Sequence, residues 1–493
     1  MNISAFFDSI GRDLHYALRG LSRRPAFTFA VVLTLALGIG ATTAIFSVIY
    51  SVLIKPLPYP NPGELVRIRH AQAELDHDLT SSPTMYFTYR EENRTLADIG
   101  LWQDGAATLS GLGEPERVRA LRVTDGTLEA LGVQPMLGRG FTADEHGPAA
   151  EGPVPVILSY AFWQRRFGGD AAALGRQLSM DSQPAQVIGV MPRGFRFLDG
   201  PQPDVILAVR LNRAELNLGD GFSYQALARL RPGVTPDEAR ADLVRVLKIW
   251  ADAWPLFPGT TKEQLAEARI TPVVRPLKDD LVGGVASTLW LVMGAIGAVL
   301  LVACANIANL MLVRADERRQ ELAVRAALGA MPARIARELL VESLGLGVLG
   351  GLLGLALAYL GLRVFVAIGP GTLPRLEEIG VYPPVLAFTA AVSLASTLAF
   401  GSVTALKHAF RVVTLNTLAA RGSSASRERN MARSTLVVVQ VALALVLVVS
   451  AALMIRTFQA LRDVDPGFAD AATIQTARIW IPDFYPDADR STR

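Results

Sequence analysis

Reactive side chains in a usable geometry are scarce in this sequence. Its one cysteine, Cys304, lies in an apolar run, and its five histidines (His15, His70, His77, His146 and His408) show neither HExxH nor a paired ligand spacing. His70 and His77 are close enough to share a helix face, but their Asp/Glu/Gln-rich surroundings read as solvated surface. No nucleophile elbow, Gly-rich phosphate loop or spaced carboxylate pair occurs between residues 55 and 280, and the chain contains no GxxxxGK[ST]. The expectation is a non-catalytic chain with no metal or cofactor of its own.

The charge pattern that does stand out is Arg314-Ala-Asp-Glu-Arg-Arg-Gln-Glu-Leu-Ala-Val-Arg-Ala-Ala-Leu-Gly-Ala-Met-Pro332. Leu322, Ala323, Ala326 and Ala327 form an apolar stripe, and Arg318, Arg319, Glu321 and Arg325 occupy the other positions. Gly329 fits a helix C-cap and Pro332 a following helix start. A short amphipathic helix at a membrane surface follows. It is either a solvated turn with a positive-inside bias or a coupling helix that docks into a cytoplasmic partner.

The elements that must position this segment are membrane spans. The chain is 51% hydrophobic and 19% charged, with mean hydropathy +0.32, and its apolar residues gather in long uncharged runs. Five spans are expected, at 26–54, 281–313, 338–368, 381–406 and 434–456. The first is too long for the apolar core of a signal peptide and reads as a retained anchor. Arg12, Arg19, Arg23 and Arg24 precede span one; arginines 314–337 separate spans two and three; Lys407 to Arg433 separate spans four and five. The loop between spans three and four holds only Arg375. By the positive-inside rule the N-terminus is cytoplasmic.

The remaining segments follow from that frame: a cytoplasmic amphipathic helix within 1–25, with Ser9–Arg24 bracing span one; a large extracytoplasmic domain, 55–280; a coupling loop, 314–337; a cytoplasmic linker, 407–433; and a tail, 457–493. Residues 55–280 hold 25 Lys and Arg against 29 Asp and Glu, so the chain's net +3 comes from segments facing anionic lipid. Nucleic acid is not an expected partner.

The outer domain reads as α+β, in two subdomains. Val154–Leu158 and Val205–Val209 read as strands, and Leu178–Pro184 with Val187–Val190 as a hairpin. Thr235-Pro-Asp-Glu238 is a capping box, opening a helix whose inner face is Ala239, Leu243, Val246, Leu247 and Trp250.

Within span three, Gly347/Gly351 and Gly350/Gly354 are small-xxx-small pairs, suited to packing inside one bundle or to a moving dimer seam. Gly38 and Gly40 invite the same comparison. Asn306 and Asn309, near the end of span two, either bond across helices or meet headgroups. No charge is expected at mid-depth, which disfavours an ion-coupled carrier.

Several blocks together resemble the MacB/FtsX-type ABC permeases. They are Cys304-Ala-Asn306-Ile-Ala-Asn309-Leu, Arg319-Gln-Glu321-Leu-Ala-Val-Arg325-Ala-Ala-Leu-Gly329-Ala and the run from Arg334-Ile to Glu342-Ser343. In the outer domain, Leu131-Gly-Val-Gln-Pro-Met-Leu-Gly-Arg139, Val187-Ile-Gly-Val-Met-Pro192-Arg-Gly-Phe195 and Arg229-Leu-Arg-Pro-Gly-Val-Thr-Pro-Asp-Glu238 resemble the family's periplasmic core domain.

The resemblance implies a multi-span α-helical membrane protein with a MacB-like α+β domain between spans one and two. It implies four spans per unit, paired as a homodimer or pseudo-dimer on cytoplasmic ABC ATPase subunits that carry the ATP. Glu321 and Arg325, with Arg318 and Arg319 beside them, would engage the ATPase. Efflux or extraction of an amphiphile, peptide or lipoprotein is expected, with a relay regulating an envelope partner such as a cell-wall hydrolase as the alternative. A membrane-anchored enzyme is a third, weaker reading. The segment from Arg433 through Phe468 resembles the opening of a second permease repeat, as in the duplicated orphan permeases. The repeat reads as truncated at Arg493, with a complete five-span protein bearing a short outer tail as the alternative.

Overall fold

The computed structural model describes residues 25–72, 78–148, 152–198, 202–218, 221–256, 261–317, 332–369, 375–417 and 425–462. They fall into two compact units, one from residues up to 55 and beyond 285, the other from 56–284.

Span one is helix α1 (Pro25–Ile49), ended by a π-helical turn at Tyr50–Ile54. Pro25 suits a first helical turn, where a missing N–H costs nothing.

In the outer domain β1 (Leu65–Ala71), α2 (Pro83–Glu92), β2 (Leu96–Ser110), β3 (Glu116–Val123), α3 (Thr127–Leu131) and β4 (Leu137–Gly138) are followed by β5 (Val154–Leu158) and α4 (Tyr160–Phe167). Then come β6 (Gln177–Met180), β7 (Gln183–Val190), β8 (Val205–Ala208), β9 (Gln225–Leu230), α5 (Pro236–Ala253), α6 (Lys262–Glu267) and β10 (Thr271–Pro276). The sheet runs β10-β1-β9-β2-β3-β8-β5-β7-β4, with β6 pairing both β2 and β7.

That double pairing closes a ring, β2-β3-β8-β5-β7-β6. Alternate residues fill it: Val118 and Ala120, Val156 and Leu158, Val205 and Leu207, Leu178 and Met180. The opposite parity, Leu121, Ile157 and Ile206, packs into a second core with Trp102 and Phe197. Strands buried on both faces carry unbroken apolar runs, which is why β5 and β8 were visible in the sequence.

The third core lies under α2 and α5. Trp250 is buried there beside Met85, Tyr89, Leu243 and Val246, and its indole N–H donates to Thr84 at 2.9 Å. The capping box at Thr235 and Glu238 is formed.

Two expectations need correction. The outer domain is not two separate subdomains, because β2 is long enough to serve two cores, pairing β9 in its first half and β6 at its end. Val209 lies outside β8, although its N–H still donates to Val123 O at 2.7 Å. In the hairpin, Asp181 and Ser182 both take positive φ, 49° and 67°, the geometry of a tight two-residue turn between β6 and β7.

Four long helices follow: α7 (Leu277–Glu317), α8 (Pro332–Ile368), α9 (Pro383–Thr417) and α10 (Ala425–Arg462). With span one they provide five helices long and apolar enough to cross a membrane, over Pro25–Ile54, Leu277–Arg314, Leu339–Ile368, Pro383–Ser402 and Val437–Thr457. Span three lies between spans one and four. Span two adds Leu300, Cys304, Ile307, Ala308 and Met311 to the core formed with Val31, Leu35, Ile39, Leu346 and Phe400. Span five has no buried residue in its apolar stretch.

Candidate functional site

Glycine decides how closely three of the spans approach. A Cβ at Gly354 would lie 3.0 Å from Ala36 O and Gly40 N, and one at Gly40 would lie 2.9 Å from Gly354 O, so spans one and three touch backbone to backbone. Gly350 faces Leu35 of span one at 2.6 Å. Gly347 and Gly351 face the hydroxyls of Thr397 and Ser393 on span four. All four glycines therefore serve seams within this chain. Spans one and four also meet directly: Thr43 and Thr389 share a hydroxyl hydrogen bond at 3.1 Å, and Phe46 stacks on Phe388 at 3.9 Å.

At one end of the bundle a polar cluster joins the turn after span one to the connection before span four. Arg375, buried and in the left-handed region at φ 57°, donates to Lys55 O at 2.7 Å and to Glu378 Oε2 at 2.8 Å. Lys55 Nζ donates to the same Glu378 oxygen at 3.0 Å and to Tyr382 Oη at 3.2 Å.

Burial would raise the Glu378 carboxyl, but hydrogen bonds from Arg375 and Lys55 outweigh it and hold its pKa below the usual 4.5. A depressed carboxylate stabilises the fold above its unfolded pKa, and the contribution is lost as pH falls through the folded value. Glu378→Gln should therefore lower the melting midpoint of the full chain in detergent at pH 7. The gap from the native chain should narrow as pH falls below 4.5 and through the folded pKa. A gap that does not narrow on acidification would exclude the carboxylate as its source.

At the opposite end of spans two and three, Arg314 Nη2 lies 2.7 Å from Glu342 Oε1, both side chains less than a tenth exposed. The Arg314 guanidinium also lies over the Phe27 ring, 4.7 Å from its centroid. Sequence reasoning counted Arg314 only among the basic loop residues and gave Glu342 no role. A lone acid at the mouth of an apolar run was the signal available. Asn306 is exposed. Asn309 is half-buried, and its Oδ1 meets no hydrogen-bond partner among the described residues, so the expected interhelical bond from that oxygen is not present there. Arg318, Arg319, Glu321 and Arg325 lie outside the described residues, as does Ser9–Arg24.

The outer domain carries a cleft of about 650 Å³ lined by Tyr86, Phe87, Arg90, Asp125, His146 and Arg213, among others. Its charges are already matched: Arg90 bonds Asp125 at 2.5 Å and Tyr86 Oη at 2.6 Å, and Arg213 pairs with Glu91. Burial lowers the His146 pKa, and the imidazole bonds the Val209 carbonyl at 3.2 Å. No cluster of three potential metal ligands occurs among the described residues. The geometry offers seams, ion pairs and a cleft, which are the means of packing and movement.

The family model of the MacB-like periplasmic core domain matches residues 28–246, and that of the FtsX-like permease C-terminal region matches residues 293–414. The chain is a MacB/FtsX-type ABC permease.

The FtsX-like match contains the four span-three glycines, Arg314, Glu342, Arg375 and Glu378. A pyoverdine export ATP-binding/permease protein of Pseudomonas savastanoi pv. phaseolicola is 27% identical over 274 residues, 54% of this chain and 37% of its own length. A macrolide export ATP-binding/permease protein of Yersinia pestis bv. Antiqua is 24% identical over 239 residues, 48% of this chain and 34% of its own. The chain thus spans little more than a third of the length of the curated relatives it matches. The crystal structure of the periplasmic region of MacB from Actinobacillus actinomycetemcomitans aligns with 45% of this chain and 92% of that one, at 13% identity and TM-score 0.31. As a permease of this type the chain is a multi-pass membrane subunit with an extracytoplasmic domain.

Proposed function

We propose that this permease is the membrane subunit of an ABC-type export or mechanotransmission complex, driven by nucleotide hydrolysis on a separate cytoplasmic ATPase. Its N-terminus faces the cytoplasm of a bacterial inner membrane, and two such units, or a pseudo-dimer of halves, work together. The amphiphilic, peptide or lipoprotein cargo is extracted or expelled on the outer side.

The observation that carries this reading is the buried ion pair between spans two and three, with Arg314 just before segment 318–331 and Glu342 about three turns into the helix that follows it. That segment holds the Arg-Gln-Glu-Leu-Ala-Val-Arg pattern. One helix, α7, carries both Arg314 and Asp280, which bonds Arg69 of β1 at 2.9 Å. A push at the first end thus has a continuous helical path toward the second. The seam between spans one and three is closed by backbone contact, and those with span four by hydroxyl and ring contacts, which favours transmitted movement over a solute path among those three spans.

Reconstitution of the full chain with candidate cytoplasmic ATPases tests the reading. Glu321→Ala and Arg325→Ala are expected to weaken ATPase binding and its stimulation together. Unchanged binding and stimulation would end the coupling role. The closed seams serve a regulatory relay equally well, and a stoichiometric envelope protein captured by the full chain would favour that reading.

A further inference from the structure

The faces on which these spans pack carry aliphatic side chains, glycines and hydroxyls, yet two opposite charges are buried together where spans two and three approach. Removing both from solvent carries a desolvation penalty that a packed apolar pair would avoid, and a lipid surround enlarges it. An apolar pair would fill the same space. It would not hold the two helices at one separation, because aliphatic side chains slide past one another, whereas opposite charges 2.7 Å apart in an apolar surround resist being drawn apart.

Position adds to chemistry. Arg314 sits in the last turn of α7 and Glu342 within α8, so the pair brackets segment 318–331 in sequence. Phe27, in the first turn of span one, lies against the guanidinium face. Three helices meet at one charged contact.

We propose that the Arg314–Glu342 pair is a positioning clamp. It sets the separation of α7, just before segment 318–331, from α8, about three turns after that helix begins. Through Phe27 it ties span one to both, so that force on the segment moves three spans as one body. The source of that force rests on the coupling reading above; the clamp itself can be tested with no ATPase present.

The full chain, with Cys304→Ser and spin labels at Leu310→Cys and Val348→Cys, both exposed positions, is placed in phosphatidylethanolamine/phosphatidylglycerol nanodiscs. With the native pair, dipolar spectroscopy is expected to give one narrow distance distribution. R314M/E342L, which fills the site without charge, is expected to keep the melting midpoint while the distribution widens about twofold, and R314E/E342R to restore the native width. A native width in R314M/E342L means that packing alone sets the geometry and overturns the clamp. Should R314M/E342L fail to fold, R314E/E342R decides: native width supports the clamp and a broadened one overturns it. If Glu321 and Arg325 variants leave the ATPase response unchanged while the spin-label result holds, the coupling reading falls and the clamp stands.

Discussion

Gly354→Leu is expected to prevent assembly of the bundle formed by spans one, three and four, whereas Gly361→Leu, two turns further along the same helix, is expected to leave it intact. The contrast follows from what each Cβ would meet. At Gly354 the nearest atoms are the Ala36 carbonyl oxygen and the Gly40 amide nitrogen, both backbone and both at 3.0 Å; at Gly361 nothing lies within 4 Å. A clash with a flexible side chain is relieved by a change of rotamer. A clash between two main chains moves a whole helix. Overpacking a core commonly costs about 1–3 kcal/mol, and displacing a helix seam should reach or exceed the upper figure. Gly40→Leu should match Gly354→Leu, since its Cβ would strike the Gly354 carbonyl at 2.9 Å. Gly347→Ala and Gly351→Ala press on the hydroxyls of Thr397 and Ser393, which can rotate, and should be milder. The folded fraction in a denaturing-detergent titration, with size-exclusion profiles alongside, reads the order. If Gly354→Leu and Gly361→Leu unfold at the same detergent fraction, the seam lies elsewhere.

What the sequence made legible was local. Uncharged runs long enough for a bilayer gave the spans, and unbroken β-branched runs gave β5 and β8. Thr235 with Glu238 gave the start of α5. These signals live within one element, where composition and period are sufficient. What escaped depends on partner choice across long separations. The β6–β7 hairpin was legible, but nothing in Gln177–Met180 says that it also pairs the far end of β2, and that pairing closes the ring. Arg375 read as a stray loop charge, although it binds the Lys55 carbonyl across 320 positions of sequence. Gly350 and Gly351 are neighbours in sequence and serve different helices, a distinction that a small-xxx-small count does not make. The resemblance identified the family, but the residues it nominated for ATPase contact lie in segment 318–331. The described structure contributes there only the roots of that segment.

Acidification from pH 6.5 to 4 is expected to loosen the core under α2 and α5, and His70 is expected to account for a separable part of the loss. His70 is fully buried in β1. Its Nδ1 faces the Thr80 carbonyl at 3.3 Å, an acceptor, so Nδ1 carries the proton and Nε2 accepts from the Tyr89 hydroxyl at 2.8 Å. Protonation would place a hydrogen on Nε2, remove that acceptor and bury a positive charge. Burial accordingly lowers the His70 pKa from 6.5 to about 4, with the Thr80 carbonyl and Asp78 opposing the shift only in part. The folded chain keeps His70 neutral between those values while the unfolded chain protonates it, so stability falls with pH throughout that window. The loss approaches about 3 kcal/mol at its acid end, at about 1.4 kcal/mol per pH unit. Hydrogen exchange in the full chain resolves it: once corrected for intrinsic rates, protection of Leu65–Ala71 and Pro83–Glu92 should drop about a hundredfold across the window. Carboxylates elsewhere contribute to any acid slope, so the decisive comparison is with His70→Gln. That variant cannot titrate and should show a visibly shallower slope despite a lower protection at pH 7. Parallel slopes in the two proteins would remove His70 from the account and leave the carboxylates to explain the acid loss.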